Sequence, residues 1–600
     1  MKFLMKQNVL IFLLIGLILG FGVWEYTHLP KDAFPDISPV MVPIFAEGHG
    51  MAPEEIERLI TYPIESSMNG LPGVTLVKST SAFGMAVIYV YFSDETDIYF
   101  ARQLVNQRLN SAMEDLPDLE EAPTLGPISS GLGEVFMYYL TLDEELVQLE
   151  GKEPGAYLRE INDWQVKYQL QTVPGVTEIL SMGGHVLQYQ VKLNPLNMLE
   201  YDISIDDVVS AIRDNNRNVG GQFLVVGSEE YLIRGVGLLE ELEQIGSIPL
   251  KVENSVPITL EHIADVGYGN ETRRGVVSMD GTQEVVAGIV IKLLGQNSSE
   301  VIHALKAKLP EVQDALPQGV RLIPYYDQSE LVSKATGTVI SALFQAGILV
   351  NLILLLFLWN FRTAIIVGFS LPLSALVGII LMGWQGISAN LMSFGGIAIA
   401  IGMLGDGSIV VVESIYRKLQ SLDSLDKDKR VGAIIDAVNE VRKPILFSVA
   451  IIIMVFLPIF SLQGIEGKLF RPLAITIVFA LIGSLIAALV ISPVLSNIII
   501  RKTRLEEPRF MSVLRIGYRK LLLSLTRKSW IVIIPAILLL VISLLLVPRL
   551  GTEFVPTLEE GAVQVIITSA PSTSLETMTD LIQRMERDVV QFDEVDHAIT

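Results

Sequence analysis

The chain has 600 residues, 50% of them hydrophobic, with no cysteine and a formal net charge of −22. A mean hydropathy of +0.48 is too apolar for an ordinary soluble protein, and the length implies several domains. The acidic balance argues against nucleic acid as a partner, and the lack of cysteine excludes disulfides and thiolate metal sites. The six histidines are scattered, without the HExxH spacing of a zinc enzyme.

Seven runs are long and apolar enough to span a bilayer, near 9–24, 336–359, 364–384, 391–415, 445–462, 473–500 and 531–548. Lys2 and Lys6 precede the first, but no small-residue cleavage site follows it, so it reads as an uncleaved signal anchor. Arg417, Lys418, Lys427, Lys429, Arg430, Arg442 and Lys443 crowd the loop after the fourth run, and the stretch from Arg501 to Lys528 is richer still. By the positive-inside bias these segments face the cytoplasm, leaving 25–335 and 549–600 on the other side. Trp24, Trp359, Trp384 and Trp530 stand at run ends, where an aromatic belt would lie.

The first exported region predicts compact α+β units. "VMVPIFAEG" reads as a strand and "APEEIERLITYPIESSMNGLPG" as a helix opened by Pro53. "TLVKSTS" and "GMAVIYVYF" read as strands, and "DIYFARQLVNQRLNSAMEDLP" as a helix with one apolar face. This β-α-β-β-α order is the split βαβ pattern of ferredoxin-like modules. It is expected to recur with "EVFMYYLTLD", "AYLREINDWQVKYQLQTVPG", "VTEILSM", "VLQYQVKL" and the helix "SIDDVVSAIRDNN". A mixed segment follows from about 218 to 275, then another strand and helix. After the first run the chain reads "FPDISPVMVPIFAEGHGMAPEEIERLI", and after the seventh "FVPTLEEGAVQVIITSAPSTSLETMTDLI". Each gives Phe and Pro, a strand, then a helix start ending in Leu-Ile, an internal repeat of the kind transporters carry. The second copy is expected to be cut off at Thr600, as one half of a two-half protein plus the opening of the other.

The fourth run holds two carboxylates, Asp406 and Glu413, in "GMLGDGSIVVVESI". A charge at a bilayer centre costs at least about 2.5–3.5 kcal/mol, so such residues usually serve function. Seven residues apart, the two share one helix face about two turns apart. Burial would raise the pKa of Asp406 toward neutrality and let it exchange a proton. The structural alternatives are that Asp406 bonds a neighbouring helix and that Glu413 snorkels to the interface. An intramembrane aspartyl protease needs a second membrane aspartate; the other spans offer none, and Gly402-Met-Leu-Gly405-Asp406 is one residue off the Gly-x-Gly-Asp spacing. The chain is not read as an enzyme.

Several stretches together resemble the resistance–nodulation–division (RND) superfamily of proton-driven exporters, in its cobalt–zinc–cadmium and copper–silver branch. They are "LPKDAFPDISPVMV", "TDIYFARQLVNQRLN", "LGPISSGLGEVFMYYL", "TVPGVTEI", "YYDQSELV", "SANLMSFGGIAIAIGMLGDGSIVVVESI" and "LQGIEGKLFRPLAITIVFAL". The resemblance implies an α+β inner-membrane protein: a transmembrane helical bundle, seven spans here, with periplasmic ferredoxin-like porter subdomains and a docking subdomain. The expected boundaries are a first transmembrane helix at 1–27, porter and docking subdomains at 28–335, and helices two to six at 336–500. A cytoplasmic amphipathic segment at 501–528, a seventh helix at 529–548 and a second porter region starting at 549–600 complete them. It further implies a homotrimer, a periplasmic adaptor and an outer-membrane channel as partners, protons and metal cations as the transported species, and no cofactor.

Within that resemblance Asp406 matches the central aspartate of the proton relay and Glu413 the glutamate of zinc-type pumps. Ala400 stands where zinc-type pumps often have a further aspartate and resembles the copper-type pattern. The relay's basic partner would lie beyond Thr600. Glu134, in "GLGEVF", matches an acidic metal-binding position in the porter cleft of zinc-type pumps; a solvated strand-end Glu is the alternative. Copper(I) and silver(I) prefer soft sulfur ligands, whereas zinc and cobalt accept carboxylate. Ile566 stands where copper-type pumps carry a methionine, and Met382, Met392, Met403 and Met454 read as packing. The expectation is therefore a divalent-cation exporter. An exporter of organic compounds and a non-transporting half-pump are the alternatives.

Overall fold

Apolar runs in lipid must bond their backbone internally, so they form helices. The computed structural model describes all residues except 1–7, 33, 120, 132, 144, 148, 150–151, 254, 274, 359–360, 421–426, 501–508, 552–560 and 571. Among the described residues six helices are long and apolar enough to cross a membrane, at Val9–His28, Phe361–Trp384, Leu391–Gln420, Lys429–Ser461, Gly464–Ile499 and Trp530–Arg549. The expected count of seven is not reached. The second expected run falls in the helix Gln328–Leu358; Trp359 lies outside the described residues. The basic amphipathic segment contains the helix Arg509–Arg527.

The chain forms two units, residues 1–135, 291–304 and 327–566 in one, and 136–290, 305–326 and 567–600 in the other. The first contains the helical bundle and one α+β module. Its strands are β1 (Met41–Glu47), β2 (Val74–Ala82), β3 (Met85–Phe92) and β4 (Thr124–Leu125), in the sheet order β2-β3-β1-β4. β3 lies between β1 and β2 and is antiparallel to both, which is the expected split βαβ arrangement. Alternate residues Val42, Ile44, Ala46, Ile88 and Val90 are buried, as a sheet covered on one face requires. They meet Ile56, Ile60, Ile64 and Met68 at i, i+4 spacing, and Ala101, Val105 and Leu109 of the helix Ile98–Ala112. Asp97 caps that helix, its carboxylate accepting from Phe100 N at 2.9 Å. Each buried Val, Leu, Ile or Met side chain among them contributes roughly 1.5–3 kcal/mol by leaving water.

The second unit holds a second module whose membership differs from the sequence expectation. Its strands are β5 (Glu134–Leu142), β6 (Val176–Met182), β15 (Val286–Lys292) and β16 (Val320–Asp327), in the order β16-β5-β15-β6. "VLQYQVKL" was expected as the third strand, but β15 takes that place. The reason is burial. Six of the seven residues of β15 are buried, whereas the seven of β7 (Leu187–Leu193) are all half-buried or exposed. An interior strand covered on both faces must be apolar throughout.

Residues 183–285 are thus an insertion. It contains β7 paired with β12 (Ala264–Asn270), the hairpin of β8 (Val219–Val226) and β9 (Glu229–Gly235), and β10 (Pro249–Glu253) with β11 (Val256–Thr259). The expected helix forms at Ile205–Asn215, capped by Ser204 and Asp207, and helps build a small core of its own around Ile203, Val208 and Leu260. The short strands β13 (Ser278–Met279) and β14 (Gln283–Glu284) close it.

Tyr138 on β5 is fully buried, and its hydroxyl donates to Asn162 Oδ1 at 2.8 Å. Asn162 Nδ2 in turn donates to Ser181 Oγ at 2.8 Å. Burial, then the charge of Asp163, pushes the phenol's pKa far up, so it stays a neutral donor. Gly288 lets the ring approach, since a Cβ there would sit 2.1 Å from Tyr138 Cζ. Tyr138→Phe strands the Asn162 carbonyl oxygen and is expected to cost about 1–3 kcal/mol in thermal or urea unfolding.

The repeat after the seventh run is only partly borne out. A helix forms at Leu575–Val589, as expected. It is anchored by buried Glu586, which accepts from Ser278 Oγ and Gly281 N, both at 2.8 Å. The expected strand does not form among the described residues: 561–570 carry no strand ladder, and Val563 and Ile566 are exposed. A strand needs a neighbour to bond to, and among the described residues that stretch has none.

Candidate functional site on the Leu391–Gln420 helix

The helix bearing both membrane carboxylates starts at a built cap. Asn390 Oδ1 accepts from Met392 N at 3.0 Å and Ser393 N at 2.9 Å, and Ser393 Oγ accepts from Asn390 N at 2.9 Å. One side of the helix is packed. Phe394, Ile397, Ile401, Leu404, Val411, Val412 and Ile415 are buried against neighbours that include Phe361–Trp384 and Gly464–Ile499. Close approach depends on Gly396, where a Cβ would meet Thr476 Oγ1 at 2.1 Å and Leu473 O at 2.6 Å. Hydrogen bonds stitch the same seam: Ser484 Oγ donates to Leu404 O at 2.7 Å, and Ser492 Oγ to Ser408 Oγ at 3.3 Å.

Asp406 lies on the other side. Ile399, Gly402, Asp406 and Val410 are exposed, at the helical spacing of one uncovered stripe. The expected burial of Asp406 is not found: among the described residues none covers it. The period of 3.6 turns it away from Leu404, Gly405 and Ser408, which face the packed seam. Glu413 continues the stripe toward the basic end, half-exposed, with Arg417 as its i, i+4 partner. That pairing suits an interfacial glutamate.

Glu134 is exposed at the first position of β5. The structure does not gather it with other ligands: among the described residues no group of three or more His, Cys, Asp or Glu converges to hold a metal. Met382 and Met392 are buried in packing, whereas Met454 is exposed.

Sequence reading assigned no role to a polar cluster in the same unit. Lys292 at the end of β15 is buried beside Asp32, Ser298 and Gln328 around a cavity of about 210 Å³. The signal was a lysine closing the apolar strand "VAGIVIK".

The AcrB/AcrD/AcrF family model matches residues 1–600. The chain belongs to this family, within the RND superfamily. This RND chain is 37% identical over 595 residues to the cation efflux system protein CzcA of Alcaligenes sp. (strain CT14), covering 98% of the chain and 55% of that protein. It is 36% identical over 584 residues to the cation efflux system protein CusA of Escherichia coli (strain K12), covering 96% of the chain and 55% of that protein. A crystal structure of a heavy metal efflux pump superposes with a TM-score of 0.84 at 32% identity, covering all of this chain and 57% of that one. The RND chain thus spans about half the length of the curated relatives it matches.

Proposed function

We propose that the chain is part of the permease of a proton-driven heavy-metal cation exporter, set in the cell inner membrane with its two α+β modules in the periplasm. The observation that carries the coupling is Asp406, a carboxylate in the middle of a membrane helix, on a stripe that the described residues leave exposed. A carboxylate so placed needs a proton or a basic partner, and alternating between the two is what a proton relay does. Glu413, paired with Arg417, serves as the cytoplasmic end of that relay.

Divalent ions such as zinc, cobalt and cadmium are the preferred cargo in this reading. The support is chemical: there is no cysteine, two of the membrane methionines are committed to packing, and Glu134 presents an exposed carboxylate to ions that accept oxygen ligands. The assembly that fits this reading is a homotrimer working with a periplasmic adaptor and an outer-membrane channel.

The test is metal resistance in cells that depend on the intact protein. Glu134→Gln is expected to lower resistance to zinc, cobalt and cadmium by about tenfold, as for loss of one charge-assisted contact, with protein level unchanged. Equal sensitisation to organic compounds would overturn the metal role of Glu134. Resistance confined to copper and silver would overturn the divalent preference.

A further inference from the structure

We propose that the helix Arg509–Arg527 lies in the membrane surface beside the Trp530 span and binds acidic phospholipid headgroups. Residues 509–529 hold six Lys or Arg and no Asp or Glu, in a chain whose net charge is −22. Positive charge is thus gathered here against the trend of the whole protein. The apolar residues are ordered as well. Leu514, Tyr518, Leu521 and Leu525 follow the i, i+4, i+7, i+11 spacing of one helix face. Arg519, Lys520 and Arg527 fall outside that face at 3.6 residues per turn.

Among the described residues none seals the apolar face: Leu514 and Leu521 are exposed, and Tyr518 is 63% exposed. Its place in the chain says what covers it. The helix ends at Arg527, and the next begins at Trp530, after only Lys528 and Ser529. That next helix opens the apolar span Trp530–Arg549. Three residue steps reach at most about 11 Å, so the end of the basic helix cannot leave the bilayer surface. The link is a tight turn: Lys528 N donates to Leu525 O at 3.1 Å, and Ile531 N to Lys528 O at 3.0 Å. Trp530 is exposed at the junction, where an indole suits headgroup depth.

Charge complementarity selects the occupant. A protein surface laid on this helix would have to supply apolar contacts and acidic partners together. A bilayer containing acidic lipid already has both, in layers. The apolar face sinks to the acyl-chain boundary, and the Lys and Arg stems reach back to the phosphates. Each basic residue near such a surface strengthens attachment by about fivefold. The inference needs only that Trp530–Arg549 spans the membrane; it depends neither on the cargo nor on Asp406.

The chain has no cysteine, so Leu521→Cys offers a single attachment point for a nitroxide on the apolar face. The intact protein is placed in nanodiscs of phosphatidylcholine, alone or mixed with phosphatidylglycerol. Electron paramagnetic resonance then reads the label's collisions with oxygen, which concentrates in lipid, and with a water-soluble nickel chelate. With phosphatidylglycerol the label is expected to meet oxygen and not nickel. In phosphatidylcholine alone, or in about 1 M salt, where the Debye length is about 3 Å, nickel access is expected to rise several-fold. Arg519→Gln with Lys520→Gln and Arg527→Gln is expected to weaken attachment about a hundredfold and to erase the difference between the two membranes. Arg519→Lys with Arg527→Lys keeps the charge and should keep the difference. A label at Leu540→Cys, exposed on the span, reports that each variant is inserted. Equal immersion in both membranes overturns the proposal, because apolar contact alone would then hold the helix. A label shielded from oxygen and nickel alike also overturns it, since protein would then cover the face. So does a triple Gln variant that still distinguishes the two membranes.

Discussion

Asp406→Asn abolishes cation export while the protein still inserts and folds: that is the expected result. Asparagine matches aspartate in size and keeps its hydrogen-bonding capacity, but it cannot take up and release a proton. Asp406 is exposed on its helix among the described residues, so folding of the bundle is not expected to depend on its charge. Loss of a proton-transfer group typically costs about a hundredfold or more in rate. The measurement is metal-driven proton flux in proteoliposomes, with metal resistance in cells as its counterpart. Asp406→Glu, which keeps a titratable group one methylene further out, is expected to retain part of the activity. Full export by the Asn variant would remove Asp406 from the coupling.

Gly396→Val has the second large effect, and it acts through packing. The seam between the Asp406 helix and Gly464–Ile486 closes over Gly396, where a new Cβ would lie 2.6 Å from the backbone oxygen of Leu473. A backbone atom cannot swing aside, so the helices must separate. Overpacking of this kind costs about 1–3 kcal/mol, and the same shift moves Asp406. The expected outcome is a lower thermal midpoint in detergent together with reduced export. Gly395→Ala is the control, since a Cβ there meets nothing within 4 Å and should leave the midpoint unchanged. Equal tolerance of both substitutions would mean that the seam is looser than the structure has it.

Six of the seven expected apolar spans and the first module were legible in the sequence because their signals are local. An uncharged apolar run defines a span, and Val42-Ile44-Ala46 against Ile56-Ile60-Ile64 declares a sheet face and a helix face within one short stretch. The second module was misassembled because pairing is not local. Nothing in "VLQYQVKL" says that it pairs with Ala264–Asn270, and only the burial of β15 on both faces reveals which strand is interior. The carboxylates of the Asp406 helix could be found by composition alone. Their orientation could not, since it depends on which neighbours cover which side. The Lys292 cavity was out of reach for the same reason: its walls come from residues as far apart in sequence as Asp32 and Ser388.

The interruption of the second module has a consequence for synthesis. The first module closes within residues 41–125, so all its strands are available soon after they leave the ribosome. In the second, β6 must wait for β15 across residues 183–285, and the sheet stays open until β16 ends at Asp327. Closing so long a loop carries an entropic penalty before any contact repays it. The apolar faces of β5 and β6 therefore spend the longest time uncovered while the chain emerges. Folding is sequential, with the small core of the insertion able to form before the module that contains it. A ribosome stalled within the insertion would hold a finished first module beside an open second sheet, and that intermediate is the one most exposed to misassociation.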